Sequence, residues 1–188
     1  GITDPARAVE RAVQMVEDGA DIIDMGGESS RPGSRRVSVE TERKRVLPVL
    51  SKLVDILDVP VSVDTYKPEI ARECLELGAE YINDIYGLRK PGMAEVIAEH
   101  DAKVIIMHML GDPENMQENI MYKDLISDIY RFLKDQSDYA MEHGIKKEHI
   151  LVDPGIGFGK TVQHNLEIMK RLGEFRSLGF PILVGTSR

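Results

Sequence analysis

Residues 21–33 read Asp21-Ile22-Ile23-Asp24-Met25-Gly26-Gly27-Glu28-Ser29-Ser30-Arg31-Pro32-Gly33, and the fold turns on how that stretch ends. A short apolar run enters a glycine pair, as a buried strand entering a turn does. The glycines lack the spacing of a dinucleotide-binding fingerprint, and they lead into a polar loop rather than the start of a helix. The open doubly wound sheet is thereby disfavoured, and the parallel α/β barrel is the better reading.

On either side of this stretch the same grammar recurs. Upstream, Asp4-Pro5 suits a helix start, because the carboxylate can accept a first-turn amide bond and proline fits that turn. Ala8, Val9, Ala12, Val13 and Val16 come after it at helical spacing up to Gly19. Downstream, strands are expected at Val59–Thr65, Glu80–Asp84, Lys103–Met109, His149–Asp153 and Phe180–Gly185, six in all with the first. Amphipathic stretches such as Val39–Ile56 and Tyr122–His143 lie between them. Alternating strand and helix patterns build a parallel sheet covered by helices. A barrel of this class needs eight units and usually ~250 residues. The expectation is therefore one domain, residues 1–188, holding about six βα units, with the first strand and the last unit missing.

Composition narrows the function. Hydrophobic residues make up 42% and charged residues 30% of the chain, which suits a packed globular domain. A net charge of -8 offers no basic face for nucleic acid or an anionic membrane. No apolar run reaches the ~20 residues that span a bilayer, so a cytoplasmic protein is expected. Cys74 stands alone on a helix face and reads as an inert buried thiol.

In a parallel barrel the working groups lie just after the strands. Here these are Glu28 with Ser29, Ser30 and Arg31; Asp64 with Thr65; Asn83 with Asp84; His108; Asp153; and Thr186 with Ser187 and Arg188. Any one could be a helix N-cap, and Asp84 and Thr65 favour that reading. Asp64, Asn83 and Asp153 at equivalent strand ends suggest a shared ligand instead. A tight metal cluster is not apparent, whereas two carboxylates and an amide can read the edge of a flat amino-heterocycle. The run Asp153-Pro154-Gly155-Ile156-Gly157-Phe158-Gly159-Lys160-Thr161 fails as a phosphate loop, since Pro154 stands where a glycine is required. It reads as a mobile glycine-rich loop, with Lys160 either a ligand or a solvated or capping lysine. His108 is equally a packing or a site residue, and the other four histidines suit helix ends or the surface.

Those same segments resemble the dihydropteroate synthase family: Asp24–Gly33, Val61–Thr65, Tyr81–Ile85, Met107–Met109, Asp153–Lys160 and Gly185–Arg188, in order across the chain. The resemblance implies a transferase of folate biosynthesis, a sulfonamide target. It would join 6-hydroxymethyl-dihydropterin pyrophosphate to p-aminobenzoate, with Mg2+ assisting. Carried over by position, Asp64, Asn83, Asp153 and Gly157 would hold the pterin, with Ile85 and Met107 against its faces. Ser30, Arg31 and Pro32 would close over p-aminobenzoate and pyrophosphate, Phe158 would pack on the benzoate ring and Ser187 would meet its carboxylate. Asp64, Asp153 and Arg31 would be the catalytic set. No metal ligand is expected in this chain, because the family's magnesium-linked asparagine belongs to the first strand. The resemblance also implies a homodimer at full length and an inactive 188-residue chain. Two other readings stand beside it, a non-catalytic pterin-binding module and a methyl transfer enzyme working with cobalamin.

Overall fold

The computed structural model describes residues 4–31 and 33–186. Its order begins α1 (Pro5–Glu17), β1 (Ile23–Gly26), α2 (Val39–Ile56), β2 (Val61–Asp64), α3 (Pro68–Glu76) and β3 (Tyr81–Asp84). It continues with α4 (Met93–Glu99), β4 (Lys103–Met107), α5 (Leu125–Glu142), β5 (Ile150–Asp153) and α6 (Val162–Arg171). Two short 3-10 turns cover Lys147–His149 and Leu172–Leu178.

Local chemistry accounts for the helix limits. Asp4 accepts from the amides of Ala6 and Arg7 at the start of α1, and Ser38 accepts from Thr41 at the start of α2. The expected Tyr122–His143 helix begins three residues late, because the Asp124 side chain takes the Ser127 amide and fixes the first turn there. His143 and His100 close α5 and α4, while His164 completes a reciprocal cap with Thr161 at the start of α6.

All five strands are parallel and lie in the sheet in chain order, β1-β2-β3-β4-β5. A sheet that never reverses its order has no topological switch point, so the architecture is an arc of an α/β barrel rather than a doubly wound sheet. The expected sixth strand is reduced to one bridge, Val152 to Ile182. Its hydrogen bonds run from the Val152 amide to Pro181 O and from the Leu183 amide to Val152 O. Proline at 181 has no amide with which to lengthen the ladder.

One face of the arc is apolar. Val61, Val63, Ile82, Val104, Ile106, Ile150 and Val152 pack under the helices with residues such as Leu50, Leu53, Ile70, Ile97, Ile129 and Phe175. Each large side chain so buried contributes about 1.5–3 kcal/mol. Cys74 lies in this layer, and burial pushes its thiol up to about 12, so it is inert at neutral pH. No helix among the described residues is long and apolar enough to cross a membrane.

Candidate functional site

Successive strand residues face opposite sides of a sheet. Ile82, Val63, Ile106 and Val152 belong to the helix-side core. The next residue in each strand, Asn83, Asp64, Met107 and Asp153, therefore faces the concave side at the C-terminal strand ends. Asp64 is level with Asn83, and Met107 is level with Asp153.

Asn83 is oriented by a neighbour that sequence reasoning passes over. Its Nδ2 donates to Asp24 Oδ2 at 3.2 Å, leaving Oδ1 buried without a partner. A buried acceptor in that condition costs about 1–3 kcal/mol, which a ligand N–H would recover. The available signal is parity: Asp24 lies between Ile23 and Met25, on the same strand face as Gly26 beside Asp64.

The carboxylates differ in their surroundings. Burial, and then the negative charges of Asp24, Glu42, Asp84 and Glu28, push Asp64 well above the ordinary carboxylate range. Burial raises Asp153 to about 6, opposed by the Gly155 amide, which donates to its Oδ1 at 2.7 Å, and by the charge of Lys160. Asp84 is also raised to about 6 by burial, but both its oxygens are used, by the Tyr86 and Leu88 amides at 2.8 and 2.9 Å. Asp84 shapes the β3–α4 turn rather than the site.

Ile85 and Met107 join Tyr66, Tyr86, Met109 and Met116 in a second apolar cluster at the strand ends, with Phe158 packed against it. Ser30, Asp64 and Ile85 share one narrow crevice. The structure thus brings Asp64, Ile85 and Ser30 together, and Ile85, Met107 and Phe158 together. Arg31 is exposed in the loop above, its amide 3.4 Å from Ser29 Oγ. Pro32 and Ser187, with Arg188, lie outside the described residues.

The glycine-rich loop after β5 is not loose. The Gly157 amide donates to Asn165 Oδ1 at 2.9 Å and its carbonyl accepts from Gln117 at 2.8 Å, while Gly159 O accepts from Tyr122 at 2.9 Å. Both Gly157 backbone groups are therefore engaged within the protein, the carbonyl by one donor. Gly155 has φ +70, and a Cβ there would lie 2.0 Å from His108 O, so only glycine fits.

Lys160 is not solvated. It is buried, with Nζ 2.9 Å from His108 Nδ1, 3.0 Å from Phe158 O and 3.3 Å from His108 O. Burial lowers Lys160 to about 7 and, with the Lys160 charge, His108 to about 2. His108 is a neutral packing residue, with Phe132 edge-on at 5.0 Å.

A second polar assembly sits under the β1–α2 loop. Lys67 donates to Glu28 Oε2 at 2.6 Å and also to Glu42, which accepts from Thr65 Oγ1 at 2.7 Å. Lys67, in the short link between β2 and α3, and Glu42, in the amphipathic pattern of α2, both look solvated in the sequence; only packing reveals that Glu42 is 1% exposed. Among the described residues, no group of three or more His, Cys, Asp or Glu side chains is placed to hold a metal ion.

Comparison with known proteins bears on what this arrangement is for. The pterin binding enzyme family matches residues 1–188. The chain belongs to that family. It is 44% identical over 182 residues to the dihydropteroate synthase of Synechocystis, covering 96% of this chain and 63% of that protein. The Yersinia pestis dihydropteroate synthase, solved with a sulfonamide drug complex, superposes with a TM-score of 0.95 at 42% identity, over 98% of this chain and 67% of that one. The Clostridium difficile enzyme, solved in the presence of pteroic acid, gives 0.91 at 46% identity, over 100% and 69%. The chain spans about two thirds of the length of those relatives.

Proposed function

We propose that the concave strand ends bind a reduced pterin and that the chain supplies this part of a dihydropteroate synthase. The observation that carries the reading is Asn83: a buried, unpartnered acceptor, held in place by Asp24, level with Asp64 and beside the apolar cluster of Ile85 and Met107. An amino-pyrimidine edge has the N–H donors that such an acceptor would take together with the carboxylates of Asp64, on the neighbouring strand, and Asp153, two strands away. Ile85 and Met107 then cover the ring, Phe158 and Ser30 flank the second substrate, p-aminobenzoate, and Arg31 and Pro32 come from the loop above. Ser187 is proposed at the benzoate carboxylate. The sulfonamide and pteroic acid complexes of the relatives support the same pair of substrates.

In the proposed reaction the methylene C–O bond of the pterin pyrophosphate breaks, pyrophosphate leaves with the electron pair, and the aromatic amine forms the new C–N bond. The amine proton passes to solvent. Asp64 and Asp153 favour positive charge developing on the ring and methylene, and Arg31 favours the departing anion. An aromatic amine needs no strong base, in keeping with His108 being neutral and engaged by Lys160. Magnesium belongs to the proposal as a companion of pyrophosphate. A cytoplasmic homodimer is the proposed full-length state.

Calorimetric titration with pteroic acid tests the reading. Micromolar binding that is lost in Asn83→Ala supports it; binding unaffected by that change removes Asn83 as the edge reader.

A further inference from the structure

The β1–α2 loop runs between Gly26 and Val39, and a single carboxylate ties its two ends. Glu28 opens the loop, and its Oε2 accepts from the Val37 amide at 3.1 Å where the loop closes. The same oxygen takes Lys67 Nζ, and Oε1 accepts from Tyr66 OH at 2.8 Å. Lys67 carries the link onward to Glu42, which holds Thr65. Thr65, Tyr66 and Lys67 directly succeed Asp64, so one hydrogen-bonded unit joins the loop base to the strand end that bears Asp64. The crevice lined by Ser29, Ser30, Asp64 and Ile85 lies along this junction. At its far side the loop is tied separately, by the Gly33 amide to Pro113 O at 3.0 Å and by Arg36 to Asp112 at 3.0 Å.

Burying three charged side chains is a costly way to fill space. Lys67, Glu28 and Glu42 are 11%, 10% and 1% exposed, and well-packed apolar residues would often serve stability as well. What an ion triad adds is a defined geometry between segments remote in sequence. We infer that Lys67 is a positioning residue that locks the base of the β1–α2 loop to the Asp64 strand end and so presents Ser30 and Arg31 to the second substrate. The assignment of that substrate rests on the pterin-site reading above; the locking itself does not.

Two measurements separate the lock from the substrate assignment. Limited trypsin digestion of the chain reads the lock, because Arg35 and Arg36 lie in the loop, while Arg31 and Lys67 precede prolines and are poor cleavage sites. With each protein digested well below its own thermal midpoint, Lys67→Met is expected to speed cleavage after Arg35 or Arg36 about 10-fold and Lys67→Arg to restore most of the protection, the Lys67→Met midpoint itself being lowered because two buried carboxylates lose their cation. In the protein extended to the length of its relatives, Lys67→Met should raise KM for p-aminobenzoate about 10-fold and pterin affinity should change less than 3-fold. If Lys67→Met fails to fold, Glu42→Gln, which cuts one arm of the triad, takes its place with the same expectation. Loop cleavage unchanged in the folded variant overturns the proposal, and so does an equal effect on both substrates. Absence of pteroic acid binding by the parent protein would instead defeat the pterin reading and leave the digestion test standing.

Discussion

Asp84 and Asp64 stand at the ends of neighbouring strands, and both are pushed up by burial, yet they do opposite things. Asp84 points toward the helix side and spends both oxygens on the amides of its own turn. Asp64 faces the concave side, receives no hydrogen bond from the described residues, and is crowded by Asp24, Glu42, Asp84 and Glu28. One carboxylate is consumed by the fold, and the other keeps its oxygens free of hydrogen bonds from the described residues at the concave strand end, where the proposed ligand would take them. The contrast separates building from binding without reference to residue type, and experiment can challenge it.

The largest effect is expected at the building residue. Asp84→Ala leaves two buried amides unpaired and should destabilise the chain by about 3 kcal/mol, measured by urea unfolding. A loss no greater than that of Asp64→Ala would erase the distinction.

The pH dependence probes the same contrast. The folded pKa of Asp84, about 6, lies above its unfolded value, so the folded state holds the proton more tightly. Its contribution to stability is therefore fully present below about pH 4 and is lost as pH rises through about 6. Relative to Asp84→Asn, the parent should lose on the order of 2–3 kcal/mol between those limits. A difference that stays flat across that window would show that the two loop amides outweigh burial.

Binding should respond at the other residue. Asp64→Ala or Asp153→Ala is expected to weaken pteroic acid binding by roughly 2 kcal/mol in calorimetry, the scale of hydrogen bonds to charged groups. Asp84→Asn, where it folds, should change affinity less than 2-fold. The smallest effect is on stability at Asp64: replacing a crowded carboxylate by an amide should stabilise the free chain by about 0.5 kcal/mol, seen as a raised thermal midpoint. A lowered midpoint would mean that Asp64 has a structural partner after all.

Much of this is legible in the sequence, for local reasons. The Val39–Ile56 helix, the Asp4-Pro5 start of α1 and strands β1 to β5 come from apolar periodicity and cap chemistry, which act over a few residues. Pairing by equivalent position also brings Asp64, Asn83 and Asp153 to one end of the sheet. The sixth strand fails because Pro181 and a single bridge decide it, and pairing depends on the neighbouring strand. Lys160 departs from a local reading because a lysine after glycines looks solvated until Tyr122, Gln117 and His108 close over its loop.

The order of strands and helices, the caps that bound them and the parity that sends alternate strand residues to opposite faces are thus written in the chain itself. They are consequences of backbone geometry and nearest-neighbour chemistry. Packing in three dimensions was needed to establish that Asp24 orients Asn83, that Lys67 bridges Glu28 and Glu42, and that Lys160 is buried. Such facts join residues 25 to 59 positions apart, and no local pattern encodes which charges a folded chain will bury together.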